Sequence, residues 1–258
     1  MNQPGDITQE VLDSTQYSTA SIRQYESVFG EDFVSPGGYE MAVELIGKLK
    51  LERGSRVLDV GCGLGGSAFV MAREFGLIVD GIDLSKNMLA LAGEKLSDYQ
   101  LADSVKFEQG DCLEMDRSEY YDAIYSRDVF LHITDKSRLF SVLNSLLKPG
   151  GKLLFTDYCY GEKHWTDEFS EYVKDRDYFL HTFPEYVKLI SKAGFTQVNH
   201  QDLTDRFIVI LQTEMSKISG LDLAEPIRLK LAHSWRGKLD RAGSGDHRWG
   251  LFTAVKGS

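Results

Sequence analysis

The sequence contains little cysteine and no long hydrophobic run, and both absences limit what the protein can be. Its 258 residues include only three cysteines, Cys62, Cys112 and Cys159. Such an odd, widely spaced set predicts neither a disulfide framework nor a metal cluster. No stretch reaches the roughly 18 to 20 apolar residues that a membrane-spanning helix needs. The first residues also lack a basic start followed by an apolar run. We therefore expect a cytoplasmic protein without a metal or a membrane span.

Positive charge is also scarce. The chain has 29 lysines and arginines against 39 aspartates and glutamates, a formal net charge of −10. A nucleic-acid-binding protein usually presents a basic face, so a nucleic-acid partner is not expected. A small anionic substrate is still compatible, because a few local cations in a shielded site outweigh a distant negative surface. The length fits one α/β domain with an added cap, and we expect a monomer.

Predicted strands and helices alternate through the middle of the chain. This alternation indicates a parallel sheet covered by helices on both faces, with ligands at the carboxyl ends of the strands. A turn at residues 148–151 is expected to precede the fifth strand. The predicted strands are 56–60, 77–82, 105–108, 122–126 and 152–156, and the predicted helices are 65–75, 85–96 and 136–147.

The two ends of the chain are expected to cover this core. Helices are predicted at 8–30 and 39–49, and a helical insertion rich in tyrosine and charge at 158–181. The expected division is an N-terminal helical lid, a ligand-binding core, a cap insertion, and a C-terminal part that completes core and cap. These four parts are 1–50, 51–157, 158–184 and 185–258, and the last contains a helix at 185–193, a strand at 196–201, helices over 204–241 and a strand at 248–256.

A glycine-rich turn follows the first predicted strand. The segment 57–66 has the sequence VLDVGCGLGG, an apolar strand followed by a turn and then a helix. Gly61 and Gly63 allow the backbone to approach a ligand closely and to adopt a positive φ. Free N–H groups at the start of the next helix point towards such a ligand. Taken alone, this turn fits a dinucleotide as well as other ligands.

Acidic residues end three successive predicted strands, at Asp59, Asp83 and Asp111. Asp59 suits a cationic group, whereas it would repel a pyrophosphate. Asp83 can accept hydrogen bonds from two ribose hydroxyls, and Asp111 with the N–H of Cys112 can contact an adenine edge. Each aspartate alone is explained equally well as a turn former or a helix cap. Together, over residues 56–157, they resemble the class I methyltransferases that use S-adenosylmethionine, which implies a Rossmann-like α/β fold and that cofactor.

Further motifs lie outside this segment and are more specific. They are the pair Gln16–Tyr17, YSRDVFLH at 125–132, TDYC at 156–159, DEFSEYVKDRDY at 167–178, WRGK at 235–238 and RWG at 248–250. Together they resemble the phosphoethanolamine N-methyltransferases over most of the chain, and in particular the short single-domain form of malaria parasites. The plant and nematode members of this family are longer.

This resemblance implies a site for the phosphate and further cofactor contacts. Phosphate attracts cations and hydroxyl donors, and Tyr172 and Arg176 lie four residues apart on one helix face. The alternative for these side chains is packing within the cap and a surface ion pair. The residues implied for the phosphate are Tyr158, Tyr172, Arg176, Tyr178 and Lys238, and the additional cofactor contacts are Gln16, Ser35, Leu84 and Arg127.

The amine of such a substrate must lose a proton before it can attack. Asp128 is suited to hold the ammonium group, and His132 is expected to take a proton near neutral pH. The resemblance implies that Tyr17 pairs with His132 over the substrate. The alternative roles are a structural hydrogen bond for His132 and packing for Tyr17.

The expected reaction is three successive methyl transfers, from phosphoethanolamine through the mono- and dimethyl compounds to phosphocholine. Two alternatives stay open at this point. One is methylation of another small amine, a sterol or a lipid, for which an apolar cap is expected. The other is a non-catalytic subunit that binds S-adenosylmethionine without turnover.

Overall fold

The computed structural model describes residues 18–162 and 165–257. Gln16 and Tyr17, and with them the predicted partnership of Tyr17 with His132, lie outside the described residues. The first described helix begins after Ser18, whose side chain accepts a hydrogen bond from the N–H of Ser21 at 3.3 Å. In the described ranges, no helix combines the length and the apolar character needed to cross a membrane.

A seven-stranded sheet forms the centre of the described structure. The strands are β1 Arg56–Val60, β2 Ile78–Asp83, β3 Val105–Gln109, β4 Tyr121–Arg127, β5 Leu147–Tyr160, β6 Phe195–Asp202 and β7 His247–Lys256. They lie in the order β3-β2-β1-β4-β5-β7-β6. Neighbouring strands among β1 to β5 are parallel, and β7 runs antiparallel to both β5 and β6. The predicted α/β class is thereby confirmed, with a sheet that is parallel through β5 and mixed at the β7–β6 edge.

Helices cover both faces of this sheet. Successive residues of a strand face opposite sides, so that Val57 and Leu58 belong to two different hydrophobic clusters. The helices are α1 Thr19–Phe29, α2 Gly38–Leu49, α3 Gly66–Phe75, α4 Lys86–Asp98, α5 Lys136–Leu146, α6 Asp167–Asp175, α7 Phe183–Lys192, α8 Thr204–Ile218 and α9 Glu225–Ser244. The Leu58 cluster includes buried residues of α5 and α7, and the larger Val57 cluster includes buried residues of the other helices except α4.

The fifth strand is longer than predicted at both ends. It begins at Leu147, so the predicted turn at 148–151 lies inside its range. There the pairing jumps from Tyr121–Leu147 to Ala123–Lys152 and Gly150 has φ +74°, so these residues bulge out of the ladder before regular pairing starts at Lys152. At the other end β5 continues to Tyr160, because it pairs with β7 as far as His247. Residues 158–160 are therefore strand, and α6 is the helix of the predicted insertion.

A polar cluster holds the end of α1 against the core. Lys95 on α4 forms ion pairs with Glu26 and Asp32, and Tyr99 donates a hydrogen bond of 2.8 Å to Asp32. The N–H of Asp32 also donates to Glu26 at 2.9 Å. These contacts fix the segment that leads from α1 over the glycine turn, which positions one wall of the site.

Candidate active site

A large cavity of about 1220 Å³ opens at the carboxyl ends of the parallel strands. Its lining extends from the glycine turn after β1 to α1, α9 and the segment that follows α6. The predicted cofactor and substrate residues thus share one continuous space. The predicted site residues that line it are Ser35, Asp59, Gly61, Gly63, Asp83, Leu84, Asp111, Cys112, Arg127, Asp128, His132, Tyr158, Arg176, Tyr178 and Lys238.

The glycine turn is held tightly against its neighbours. Gly61 has φ +67°, and a Cβ added to it would lie 2.3 Å from Cγ2 of Val129. Its N–H donates to the carbonyl of Ile82 at 2.8 Å. The N–H of Gly63 donates to Asp83 Oδ2 at 2.9 Å. A residue without a side chain is therefore required at position 61, by backbone conformation and by space.

Asp59 is a buried carboxylate beside this turn. It is 2% exposed, and its Oδ2 has no hydrogen-bond partner within the described structure. Burial raises the pKa of Asp59 to about 7, although the charge of Arg127 opposes this shift. A buried carboxylate oxygen without a partner is unfavourable unless a ligand supplies one. The position therefore suits a cationic group.

The other two strand-end aspartates already hold backbone groups. Asp83 accepts hydrogen bonds of 2.9 Å from Gly63 N and from Ser85 N, one on each carboxylate oxygen. Asp111 Oδ1 accepts from Leu113 N at 2.8 Å and so caps a short 3-10 turn. The cap role considered for Asp111 is therefore observed. Each carboxylate oxygen can accept a second hydrogen bond, so a ligand contact is still possible at both residues.

Arg127 holds the loop of residues 35–38, which also borders the cofactor end of the cavity. It is 7% exposed, and its guanidinium donates to the carbonyls of Pro36 and of Gly38, the latter at 3.1 Å. Ser35 precedes these residues and lines the cavity. Arg127 thus has two roles: it fixes the backbone of this loop, and it lines the cavity itself.

The opposite end of the cavity is rich in cations and tyrosines. Tyr158, Arg176, Tyr178 and Lys238 line it, although β5, the end of α6 and α9 lie far apart in the sequence. Burial lowers the pKa of Lys238 to about 8, and its Nζ lies 4.6 Å from the ring centroid of Trp235. A shielded ammonium and guanidinium of this kind can bind an anion strongly.

Tyr172 is not part of the cavity lining. Its ring lies beneath the guanidinium of Arg241, 3.7 Å from Cζ to the ring centroid, and 5.8 Å from the ring of Tyr178. Arg176 also lies over Tyr172, at 5.7 Å. This position agrees with the alternative role for Tyr172, which was packing within the cap. Tyr172 supports Arg176 and Tyr178, which line the cavity.

The roles of two aromatic residues, Tyr25 and Trp249, were not predicted from the sequence, although Trp249 lies in the RWG motif at 248–250. Tyr25 on α1 lines the cavity together with Arg176, and its ring centroid lies 6.1 Å from that of Trp235. Trp249 on β7 donates from its Nε1 to Asp128 Oδ1 at 2.7 Å. The position of Tyr25 one helical turn before Phe29, on an amphipathic helix, could have indicated that it faces the interior. For Trp249 no local signal indicated a partner 121 positions away.

Asp128 and His132 lie on the segment that follows β4. Asp128 has φ +56°, and burial raises its pKa although the charge of Arg127 opposes this. Neither Asp128 Oδ2 nor the hydroxyl of the adjacent Thr156 has a well-formed hydrogen bond to the described residues. The carboxylate therefore has capacity for a hydrogen-bond donor from a ligand.

His132 is neutral at physiological pH. Burial lowers its pKa to about 4, and the charges of Lys136 and Arg176 add to this effect. Its Nδ1 is buried without a partner in the described ranges, and its ring meets that of Tyr178 edge to face at 5.2 Å. In the ligand-free protein, burial and then the charges of Lys136 and Arg176 thus disfavour the charged form of His132. The expectation that His132 takes a proton from the substrate stays a prediction.

Comparison with known proteins shows the family to which this chain belongs. Residues 51–222 match the family model described as a methyltransferase domain, so the fold and the site define a methyltransferase of class I. Phosphoethanolamine N-methyltransferase of Plasmodium falciparum is 36% identical over 95% of both chains. The chain belongs to the phosphoethanolamine N-methyltransferase family, as its motifs predicted.

Longer relatives and solved structures agree with this assignment. Phosphoethanolamine N-methyltransferase 1 of Arabidopsis thaliana is 43% identical over 96% of this chain and 52% of its own length, so the chain spans about half of that relative. A solved structure of Haemonchus contortus phosphoethanolamine N-methyltransferase 2 contains phosphomonomethylethanolamine and S-adenosylhomocysteine. It superimposes with a TM-score of 0.93 at 35% identity and covers 98% of this chain and 61% of the other.

Proposed function

We propose that this protein transfers methyl groups from S-adenosylmethionine to the nitrogen of phosphoethanolamine, through the mono- and dimethyl compounds to phosphocholine. The observation that carries the proposal is one cavity with an unpaired buried carboxylate of Asp59 at one end and the cations Arg176 and Lys238 at the other. The ligands in the Haemonchus contortus structure support the same pairing of cofactor and substrate.

The cofactor end fits S-adenosylmethionine. Asp59 Oδ2 lacks a partner and would accept from the α-ammonium group, while Gly61 and Gly63 allow close approach. Asp83 would accept from the ribose, and Asp111 with Cys112 would contact the adenine edge. When bound, the cofactor supplies a methyl group that its positive sulfur already activates, so the protein residues mainly bind, orient and exclude water.

At the substrate end, Arg176 and Lys238 would bind the phosphate, with hydroxyl donors from Tyr25, Tyr158 and Tyr178. Desolvated, charge-assisted hydrogen bonds of this kind are about twice as strong as neutral ones. Such a site favours a phosphorylated amine over a sterol or a lipid, because apolar ligands would leave both cations buried without a partner.

Asp128 is the proposed acceptor of the proton from the amine. Its pKa is raised whereas that of His132 is lowered to about 4, so in the ligand-free site Asp128 is suited to accept a proton at a higher pH. Neutral His132 would accept a hydrogen bond from the amine and orient its lone pair towards the methyl group. Tyr17, which the family resemblance pairs with His132, would complete the enclosure from the N-terminal lid.

A transfer assay tests the proposal directly. The protein is incubated with S-adenosylmethionine labelled in the methyl group and, separately, with phosphoethanolamine, its mono- and dimethyl forms, and free ethanolamine. We expect labelled phosphocholine from all three phosphobases and at least about 100-fold lower kcat/KM for ethanolamine. Absence of transfer to every phosphobase contradicts the function, and equal transfer to ethanolamine contradicts the phosphate site.

A further inference from the structure

The turn formed by residues 35–38 is held from two sides. We call it the cofactor-side turn, because Ser35 lines the cavity by the glycine turn. Arg127 donates to the carbonyls of Pro36 and Gly38 from one side. From the other side, Glu214 Oε1 accepts from the N–H of Gly37 at 2.9 Å. The position of this turn therefore depends on a carboxylate 177 positions away in the chain.

Glu214 lies on α8 and is only 3% exposed. Its second oxygen, Oε2, accepts from Trp235 Nε1 on α9 at 2.9 Å. No lysine, arginine or histidine of the described ranges forms an ion pair with Glu214 within 4.0 Å. Burial raises the pKa of Glu214, whereas the two N–H donors and the charges of Lys238 and Lys217 oppose this shift. The side chain thus joins two separate elements and also acts electrostatically on Lys238.

Trp235 continues this connection to the opposite end of the cavity. It is fully buried, and the ammonium of Lys238, one helical turn further along α9, lies 4.6 Å from its ring centroid. The same ring contacts Tyr25 at 6.1 Å and Phe29 at 5.2 Å between centroids. A shift of Trp235 would therefore displace both a cation and a tyrosine of the proposed phosphate site.

We propose that Glu214 is a positioning residue that couples the two ends of the cavity, because one carboxylate holds the cofactor-side turn and Trp235 in a fixed relation. We call Glu214 with its two donors, Gly37 N and Trp235 Nε1, the bridge. A ligand bound at one end of the cavity orders the bridge, so that the second ligand loses less conformational entropy when it binds. Such coupling is reciprocal for binding free energies and is typically about 5- to 150-fold. This inference rests on the proposed function, since it requires both ligands to bind.

The experiment measures the affinity for S-adenosylhomocysteine by calorimetry, alone and with saturating phosphoethanolamine, a pair of ligands that does not react. The ratio of the two dissociation constants is the coupling factor. The variants are Glu214→Gln, which keeps the volume but replaces one of the two acceptor oxygens by an NH2 donor, and Trp235→Phe, which removes the Nε1 donor. The matched control is Glu44→Gln, an exposed glutamate on α2 that pairs with Lys48 and Arg206.

We expect a wild-type coupling factor of at least about fivefold, retained in Glu44→Gln and reduced to within about twofold of unity in Glu214→Gln. The affinity of this variant for S-adenosylhomocysteine alone should change less than about threefold. Trp235→Phe should lose coupling as well, and the double variant should lose no more than Glu214→Gln, because both changes interrupt one bridge.

Three results would overturn the inference while the proposed function stands. They are a wild-type protein that binds both ligands without coupling, a folded Glu214→Gln or Trp235→Phe variant with the wild-type factor, and additive losses in the double variant. A wild-type protein that binds no phosphoethanolamine would overturn the proposed function and this inference together. The melting temperature of each variant separates loss of coupling from loss of folding.

Discussion

The cofactor end and the substrate end of the cavity are built in different ways. The cofactor end consists mainly of backbone and short side chains that follow three neighbouring parallel strands, and Gly61, Asp59 and Asp83 lie within one short segment. The substrate end consists of long side chains from α1, the end of α6 and α9. The first is determined by local backbone conformation, whereas the second exists only after distant elements have packed.

This difference predicts which substitutions lower the stability of the fold and which weaken ligand binding. A change in the glycine turn should disturb backbone packing and cofactor binding together, because the same atoms serve both. A change of a cation at the substrate end should weaken phosphobase binding and leave the fold intact. Four experiments test this contrast, in order of decreasing expected effect.

The largest effect is expected for Gly61→Ala. The new methyl group would lie 2.3 Å from Val129 Cγ2 in a backbone with φ +67°. We expect a loss of about 2–5 kcal/mol in the free energy of unfolding and at least about 100-fold weaker binding of S-adenosylhomocysteine. Urea denaturation and calorimetry measure both. The control is Gly54→Ala, which shares a positive φ of +83° but has no atom within 4 Å of the new Cβ; equal losses in the two variants would disprove the packing argument.

Lys238→Met should raise KM for phosphoethanolamine about 10- to 100-fold, since a desolvated charge-assisted hydrogen bond to the phosphate is lost. The affinity for S-adenosylhomocysteine alone should stay within about twofold, and the melting temperature should not fall, because a buried cation with a pKa lowered to about 8 is removed. Lys230→Met, on the exposed side of α9, provides the control. An unchanged KM in Lys238→Met would remove this residue from the phosphate site.

Asp59→Asn should weaken S-adenosylhomocysteine binding about 10- to 30-fold and stabilise the ligand-free protein in a pH-dependent way. In the wild type the folded carboxyl keeps its proton up to about pH 7, whereas an Asp in the unfolded chain loses its proton near pH 3.8. The folded state therefore binds more protons between these values, and wild-type stability falls as the pH rises through this window. The melting temperature of the variant should thus exceed that of the wild type more at pH 8 than at pH 4. An equal difference in melting temperature between variant and wild type at pH 8 and at pH 4 would contradict the raised pKa of Asp59.

The smallest effect is expected for His132→Ala, a decrease of about three- to tenfold in kcat from lost orientation of the amine. Because the pKa of His132 is lowered to about 4, the free protein should show no ionisation of this residue in kcat/KM between pH 6 and 9. Rate profiles of wild type and variant over that range measure this. An ionisation near 6.5 that disappears in the variant would show that His132 is the base after all.

Much of the fold and the cofactor end could be predicted from single residues and their spacing. Strand β1 was predicted with the bounds Arg56–Val60 that the structure has, and α4 begins after the predicted cap Ser85. These features depend on neighbours within a few positions, because alternation, caps and glycine turns are local. The extra length of β5 was missed, because its pairing with β7 brings together segments about a hundred residues apart.

By itself the sequence determined the alternating core, the acidic strand ends and the family to which the chain belongs. Only the tertiary structure decided which side chains come together: that Tyr25 and Arg176 line one cavity, that Trp249 donates to Asp128, and that Tyr172 packs against Arg241 outside the cavity lining. It also decided the charge state of His132, since a pKa depends on burial and on the cations that folding brings near. Hydrogen bonding and desolvation act over a few ångströms in space, and sequence separation does not report that distance.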